Sequence, residues 1–133
     1  MTWKVVFLFV AAVVSAEDPS PTRLIGYFDA KSQKELPVES LPSQNLTHVV
    51  LTNAVKVDSL GKLYYLSEPD ELSSQELFKR ISAMPVQLIV SIRGHEDDVA
   101  LDELSENETV RTRFASDMAK NLQDWGASGL EIE

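Results

Sequence analysis

Apolar runs that read as buried strands alternate along this chain with amphipathic helices, and that alternation restricts the fold more than any other feature. "RLIGYF" is almost continuously apolar from Leu24 to Phe28, as are "THVVLTNAVKV" from Thr47 to Val57 and "VQLIVSI" from Val86 to Ile92. Strands covered on both faces read this way, whereas a strand with one wet face alternates. Between them, "SSQELFKRISAMP" has a helical period: Leu77, Phe78, Ile81 and Met84 share a face, Ser73 and Glu76 stand at capping-box spacing, and Pro85 ends the run. A longer helix is expected to be capped by Ser105 and Glu108, with Val110, Phe114, Met118, Leu122 and Trp125 as its core stripe and Gly126 as its stop. Asp58 to Gly61 supplies turn chemistry for a hairpin that returns through Leu63 to Leu66. The segment after Phe28 holds Pro37 and Pro42 and is too broken for a long helix. The order predicts an α/β fold with a mostly parallel sheet. No Rossmann GxGxxG and no phosphate-binding P-loop is present.

The opening "MTWKVVFLFVAAVVSAED" reads differently. Lys4 precedes an apolar run from Val5 to Val14, and small residues follow at Ser15 and Ala16. A core of about ten residues suits a signal peptide and falls short of the roughly 20 a bilayer requires. A buried N-terminal strand is the competing reading, because Val and Phe dominate; the order of charge, core and small residues favours a signal peptide over 1–16, cleaved after Ala16. The mature domain is then 17–133, secreted and extracellular, with no membrane association once the leader is removed. The net charge of −9 and the lack of any basic stripe exclude nucleic acid as a partner class, since phosphate neutralisation needs clustered Lys and Arg.

The chain of 133 residues contains no cysteine, so a secreted product must rely on its core without disulfides. Asn45-Leu46-Thr47 and Asn107-Glu108-Thr109 are glycosylation sequons in that context, with Asn107, in the more polar stretch, the better candidate. His48 and His95, the latter followed by Asp97 and Asp98, match no metal-ligand spacing, so neither a metal nor a cofactor is expected. The acidic run from Glu96 to Glu108 reads as a solvated loop leading into a helix, with Glu108 favourable at its N-terminus.

The last run, "GLEIE", places Leu130 and Ile132 on one strand face and Glu131 and Glu133 on the other. Alternation alone describes a half-exposed strand with a solvated acidic edge. Four runs taken in order, however, resemble glycoside hydrolase family 18, the chitinases and chitinase-like lectins, over Leu24 to Glu133. "LIGYF" is similar to the first barrel strand of that family, and "LTHVVLTNAVKVDSLGKL" to its second strand and hairpin. "VQLIVSIRG" is similar to the third strand with the SxGG signature, and "RTRFASDMAKNLQDWGASGLEIE" to the helix entering the DxxDxDxE strand. The resemblance implies the N-terminal half, about four strands, of a TIM (β/α)8 barrel that in full takes about 250 residues. The chain would then stop at the fourth strand, leaving open edges on the first and fourth strands through which copies could associate.

The resemblance also implies a chemistry. A Glu acts as general acid on the glycosidic oxygen while the acetamido carbonyl of the sugar attacks the anomeric carbon; an Asp two residues earlier orients that acetamido group. Carried onto this sequence, the three aspartates of the motif fall on Ser128, Glu131 and Glu133, and the acid two residues beyond Glu133. Ser128 cannot ionise, and each Asp-to-Glu change adds a methylene. A misplacement of roughly 1 Å can cost about a hundredfold in rate. In SxGG, Ser91 and Gly94 match while Arg93 replaces the first Gly; His95 and Asn53 stand where the family often has aromatic residues. Tyr27 matches the aromatic flooring the sugar site, with core packing as its alternative role. No catalytic set is therefore intact, and Tyr27, Ser91, Gly94 and Glu133 are the expected substrate-binding residues. The expected partner is chitin or another N-acetylglucosamine-containing glycan, bound by a protein that does not hydrolyse it. The alternatives are part of an active chitinase cleaving β-1,4-N-acetylglucosamine linkages, and a fragment with no stable fold.

Overall fold

The computed structural model describes residues 7–11, 22–96 and 99–133. Four parallel strands form its centre: β2 (Arg23–Asp29), β3 (His48–Val57), β5 (Gln87–Gly94) and β6 (Ala127–Ile132), in the order β2-β3-β5-β6. Two antiparallel strands are added, β1 (Phe7–Ala11) beside β2 and β4 (Leu63–Tyr65) beside the end of β3. The expected alternation of strands and helices is therefore present, with α1 (Ser74–Ser82) between β3 and β5 and α3 (Glu108–Trp125) between β5 and β6. The first crossover is irregular as its prolines require, with 3-10 turns at Ala30–Ser32 and Val38–Ser40.

β1, inside the run read as a signal peptide, pairs with the outer edge of β2, so the first parallel strand is an open edge only once that run is removed. Two expectations need correction. The acidic run is not all loop: Ala100–Glu106 forms a short helix, α2, which buries Ala100 and Leu104 while its acids face water. That helix takes up Ser105, so the cap of the longer helix is Asn107, whose side chain accepts a hydrogen bond from the Val110 amide at 3.1 Å. Apart from the backbone of β1, the signal peptide assigned to 1–16 and its cleavage point lie outside the described residues, as do Asp97 and Asp98.

Register explains which side of the sheet is sealed. Phe28 pairs with Leu51, Leu51 with Val90 and Val90 with Leu130, so these side chains share one face. Leu77, Phe78 and Ile81 of α1 and Val110, Phe114 and Met118 of α3 pack onto it. Trp125 closes the stripe, stacked on Phe78 with ring centroids 4.8 Å apart and edge-on to Tyr65 at 5.9 Å. Gly126 ends α3 in the left-handed region at φ 69, and a β-carbon there would lie 3.1 Å from that of Ser82. Ser73 caps α1 through the Glu76 amide, as its spacing predicts. No helix among the described residues is long and apolar enough to cross a membrane.

Candidate functional site

The opposite face of the sheet carries the polar residues. In a parallel pair, residues in register point the same way, so Tyr27, Val50, Ile89 and Gly129 form one row across the four strands. The next row toward the C-terminal strand ends contains Asp29 beside Thr52 and Ser91 beside Glu131; above it Lys56 lies beside Arg93. Small Gly129 and the short Ser91 leave room over this face for the longer side chains around them.

Glu131 is the centre of this arrangement. The Tyr27 hydroxyl donates to Oε2 of Glu131 at 2.9 Å, and the Ser91 hydroxyl donates to Oε1 at 3.1 Å. Both carboxylate oxygens are thus held by neutral donors from two other strands. Tyr27 belongs to β2 and Glu131 to β6, with β3 and β5 between them. Three strand spacings span about 14 Å in a flat sheet, and side chains stand roughly perpendicular to it. The bond therefore requires the sheet to curl, with this face concave, as in the wall of a barrel. The hydrogen bond to Glu131 raises the pKa of the Tyr27 phenol above its usual value, with burial and the charges of Glu131 and Glu133 adding to the effect.

Asn53 forms a second polar node. Its backbone is left-handed at φ 59, within a bulge of β3 that shifts the pairing with β5 between Leu51 and Val55. The amide so placed donates to Oδ1 of Asp29 at 2.9 Å and accepts from Arg93 at 3.4 Å. A non-glycine residue at positive φ is uncommon, and Asn tolerates it better than most.

The remaining expected site residues separate. Glu133 is exposed, its amide bonded to the Ile92 carbonyl, and its charge reaches Tyr27. Gly94 ends β5 opposite Val57. Ser128 does not join the group: its hydroxyl donates to the Leu88 carbonyl at 3.2 Å, near the start of β5. Asn45 and Asn107 are both exposed. His48 opens β3, bonded through Nδ1 to Thr47, whereas His95 lies past the end of β5; the two are at opposite ends of the sheet. No cluster of three metal-ligating side chains occurs among the described residues.

His95 instead stacks on Tyr64 of β4, with ring centroids 3.7 Å apart and planes within 6°. Lys62 lies 5.1 Å from the centroid of the Tyr64 ring. Beside them is a cleft of about 290 Å³, lined by residues including Lys31, Asn53, Lys56 and Glu68. Sequence reading passed over Lys31, Lys56 and Tyr64. Lys56 could have been noticed, because it interrupts "VKV" on the face that alternation assigns to the concave side.

A curled parallel sheet with helices on its convex side and polar side chains at its C-terminal strand ends is part of a TIM-type barrel. Its fold is that of the N-terminal part of a glycoside hydrolase family 18 barrel. The GH18 chitinase from Cycas revoluta, solved in complex with (GlcNAc)3, superposes with a TM-score of 0.64 at 19% identity, over 81% of this chain and 32% of its own. Human YKL-39, described as a pseudo-chitinase with retained chitooligosaccharide binding, gives a TM-score of 0.59 at 15% identity, over 82% and 31%. The spore cortex-lytic enzyme SleL of Bacillus cereus gives 0.55 at 12% identity, over 81% and 26%. The chain thus spans about a third of the length of the first two. No family model and no curated protein matches the sequence.

Proposed function

We propose that this chain belongs to a secreted chitinase-like protein of glycoside hydrolase family 18 that binds chitin or another N-acetylglucosamine-containing glycan without cleaving it. The observation carrying this reading is Glu131, held by Tyr27 and Ser91 on the concave face. A carboxylate fixed in this way keeps lone pairs free to accept from the N–H of an acetamido group, and the Tyr27 ring beside it offers an apolar surface to the sugar. Two of the solved structures that share the fold are described with chitooligosaccharides, one a chitinase and one a pseudo-chitinase.

Charge placement supports a protein that does not hydrolyse the glycan. Substrate-assisted cleavage uses neighbouring carboxylates to tune the acid. Ser128 supplies none and is tied to Leu88, while Glu131 has both oxygens engaged. Arg93 adds a cation above this row, where it would favour ionised carboxylates over a protonated acid. The alternative, part of an active chitinase, predicts release of the fluorophore from a fluorogenic chitobiose substrate. Binding of N-acetylglucosamine oligomers with no release supports the binding protein; release overturns it.

The signal peptide over 1–16, glycans on Asn45 and Asn107, and association of copies through the β6 edge belong to the same proposal. Both asparagines are exposed, and β6 has a partner strand on one side only among the described residues. Expression in a secretory host, with the mass before and after glycosidase treatment, tests the first two. Sedimentation over a concentration range tests the third.

A further inference from the structure

Lys31 and Lys56 line the cleft at the C-terminal end of the concave face, with Arg93 in register beside Lys56, while Lys62, near the Tyr64 ring, has Asp58 as a neighbouring counter-charge. Of the residues lining this cleft, Lys31 and Lys56 are cationic and Glu68 is the one acid. Lys56 and Arg93 are directly paired across β3 and β5, and like charges placed opposite each other in a sheet are destabilising. Neither Lys31 nor Lys56 has a carboxylate within ion-pair distance among the described residues. Burial, together with the charges of Lys31 and Arg93, lowers the pKa of Lys56. Asn53, which lines the cleft and bonds both Asp29 and Arg93, joins it to the row containing Glu131. Tyr64, with His95 stacked on its ring and Lys62 5.1 Å from its centroid, forms a wall.

We propose that this cleft is a subsite for an anionic substituent, a sulfate or carboxylate carried on the bound N-acetylglucosamine oligomer. An anion seated between Lys31 and Lys56 would gain charge-assisted hydrogen bonds from two lysines that have no carboxylate partner within ion-pair distance among the described residues. The inference rests on the glycan-binding reading for the identity of the carrier, and on the cleft alone for the charge.

Calorimetric titration of the full chain with three probes tests it: a neutral N-acetylglucosamine tetrasaccharide, the same sugar with one 6-O-sulfate, and inorganic sulfate. The sulfated sugar is expected to bind roughly tenfold more tightly than the neutral one, as two charge-assisted contacts would provide. That gap should narrow with added salt and vanish in Lys31→Gln/Lys56→Gln, while persisting in Lys56→Arg and in Lys120→Gln on the exposed side of α3. Equal affinity for both sugars overturns the subsite while leaving the glycan reading intact. A gap that survives the double substitution also overturns it, since the charge would then be read elsewhere. If neither sugar binds, the glycan reading fails; inorganic sulfate bound by the parent and not by the double variant then supports the anion site by itself, and no sulfate binding overturns it.

Discussion

The two faces of this sheet are made from the same strands and obey different rules. On the convex side Phe28, Leu51, Val90 and Leu130 meet the helices in one continuous apolar layer. On the concave side the neighbouring positions hold Tyr27, Ser91, Glu131, Lys56 and Arg93, joined by hydrogen bonds or set beside like charge. Burial favours the first arrangement through area alone, without regard to exact geometry. The second has little area and gains specificity from a few directed contacts. Stability is therefore expected to reside on one face and recognition on the other.

The largest effect should come from breaking the convex layer. Phe78 is 2% exposed and stacked on Trp125. Phe78→Ala should cost about 3–5 kcal/mol in denaturant unfolding, as a cavity at a core aromatic does. A loss below about 1 kcal/mol would mean the helices are not the seal described.

Next is the concave network. Glu131→Ala removes the acceptor of two half-buried or buried hydroxyls and should cost about 1–3 kcal/mol. Glu131→Gln keeps the shape and removes the charge, so the Tyr27 pKa should fall toward its ordinary 10.0, as followed by ultraviolet tyrosine titration. Because the folded-state pKa of Tyr27 is raised, its contribution to stability is complete below the unfolded value of about 10 and is lost as pH rises through the folded one. Alkaline unfolding should accordingly be shallower in Glu131→Gln than in the parent.

Asn107→Ala should cost about 1 kcal/mol by removing the α3 cap. Thr109→Ala destroys the same sequon and leaves the cap, so it should change stability by less than about 0.5 kcal/mol. The pair separates structural from glycosylation effects at one site. The smallest effect is expected at the cationic row: Lys56→Gln should raise stability by at most about 0.5 kcal/mol, since it relieves repulsion at a partly exposed position.

The sequence made one face far more legible than the other. Apolar runs and helical spacing placed β2, β3, β5, β6 and both long helices, because burial leaves a periodic trace. Asn107 was missed as a cap: Ser105 and Glu108 also have capping-box spacing, and only the separate helix of Ala100–Glu106 decides between them. The pairing of β1 with β2 was missed because the run that forms β1 has the composition of a signal peptide. Alternation put Glu131 and Glu133 on one face, but not the bond from Tyr27, 104 residues away in sequence, which depends on the curl of the sheet. The cation group was invisible for a related reason: Lys31, Lys56 and Arg93 come from three separate segments, and no spacing rule connects them.

The most direct test is to follow backbone amide resonances of the labelled chain as an N-acetylglucosamine tetrasaccharide is added. Shifts concentrated at Tyr27, Asn53, Ser91 and Glu131, saturating with sugar and with no cleavage products in the tube, are the expected result. Shifts confined to the convex helices, or none at all, would contradict glycan binding at this face.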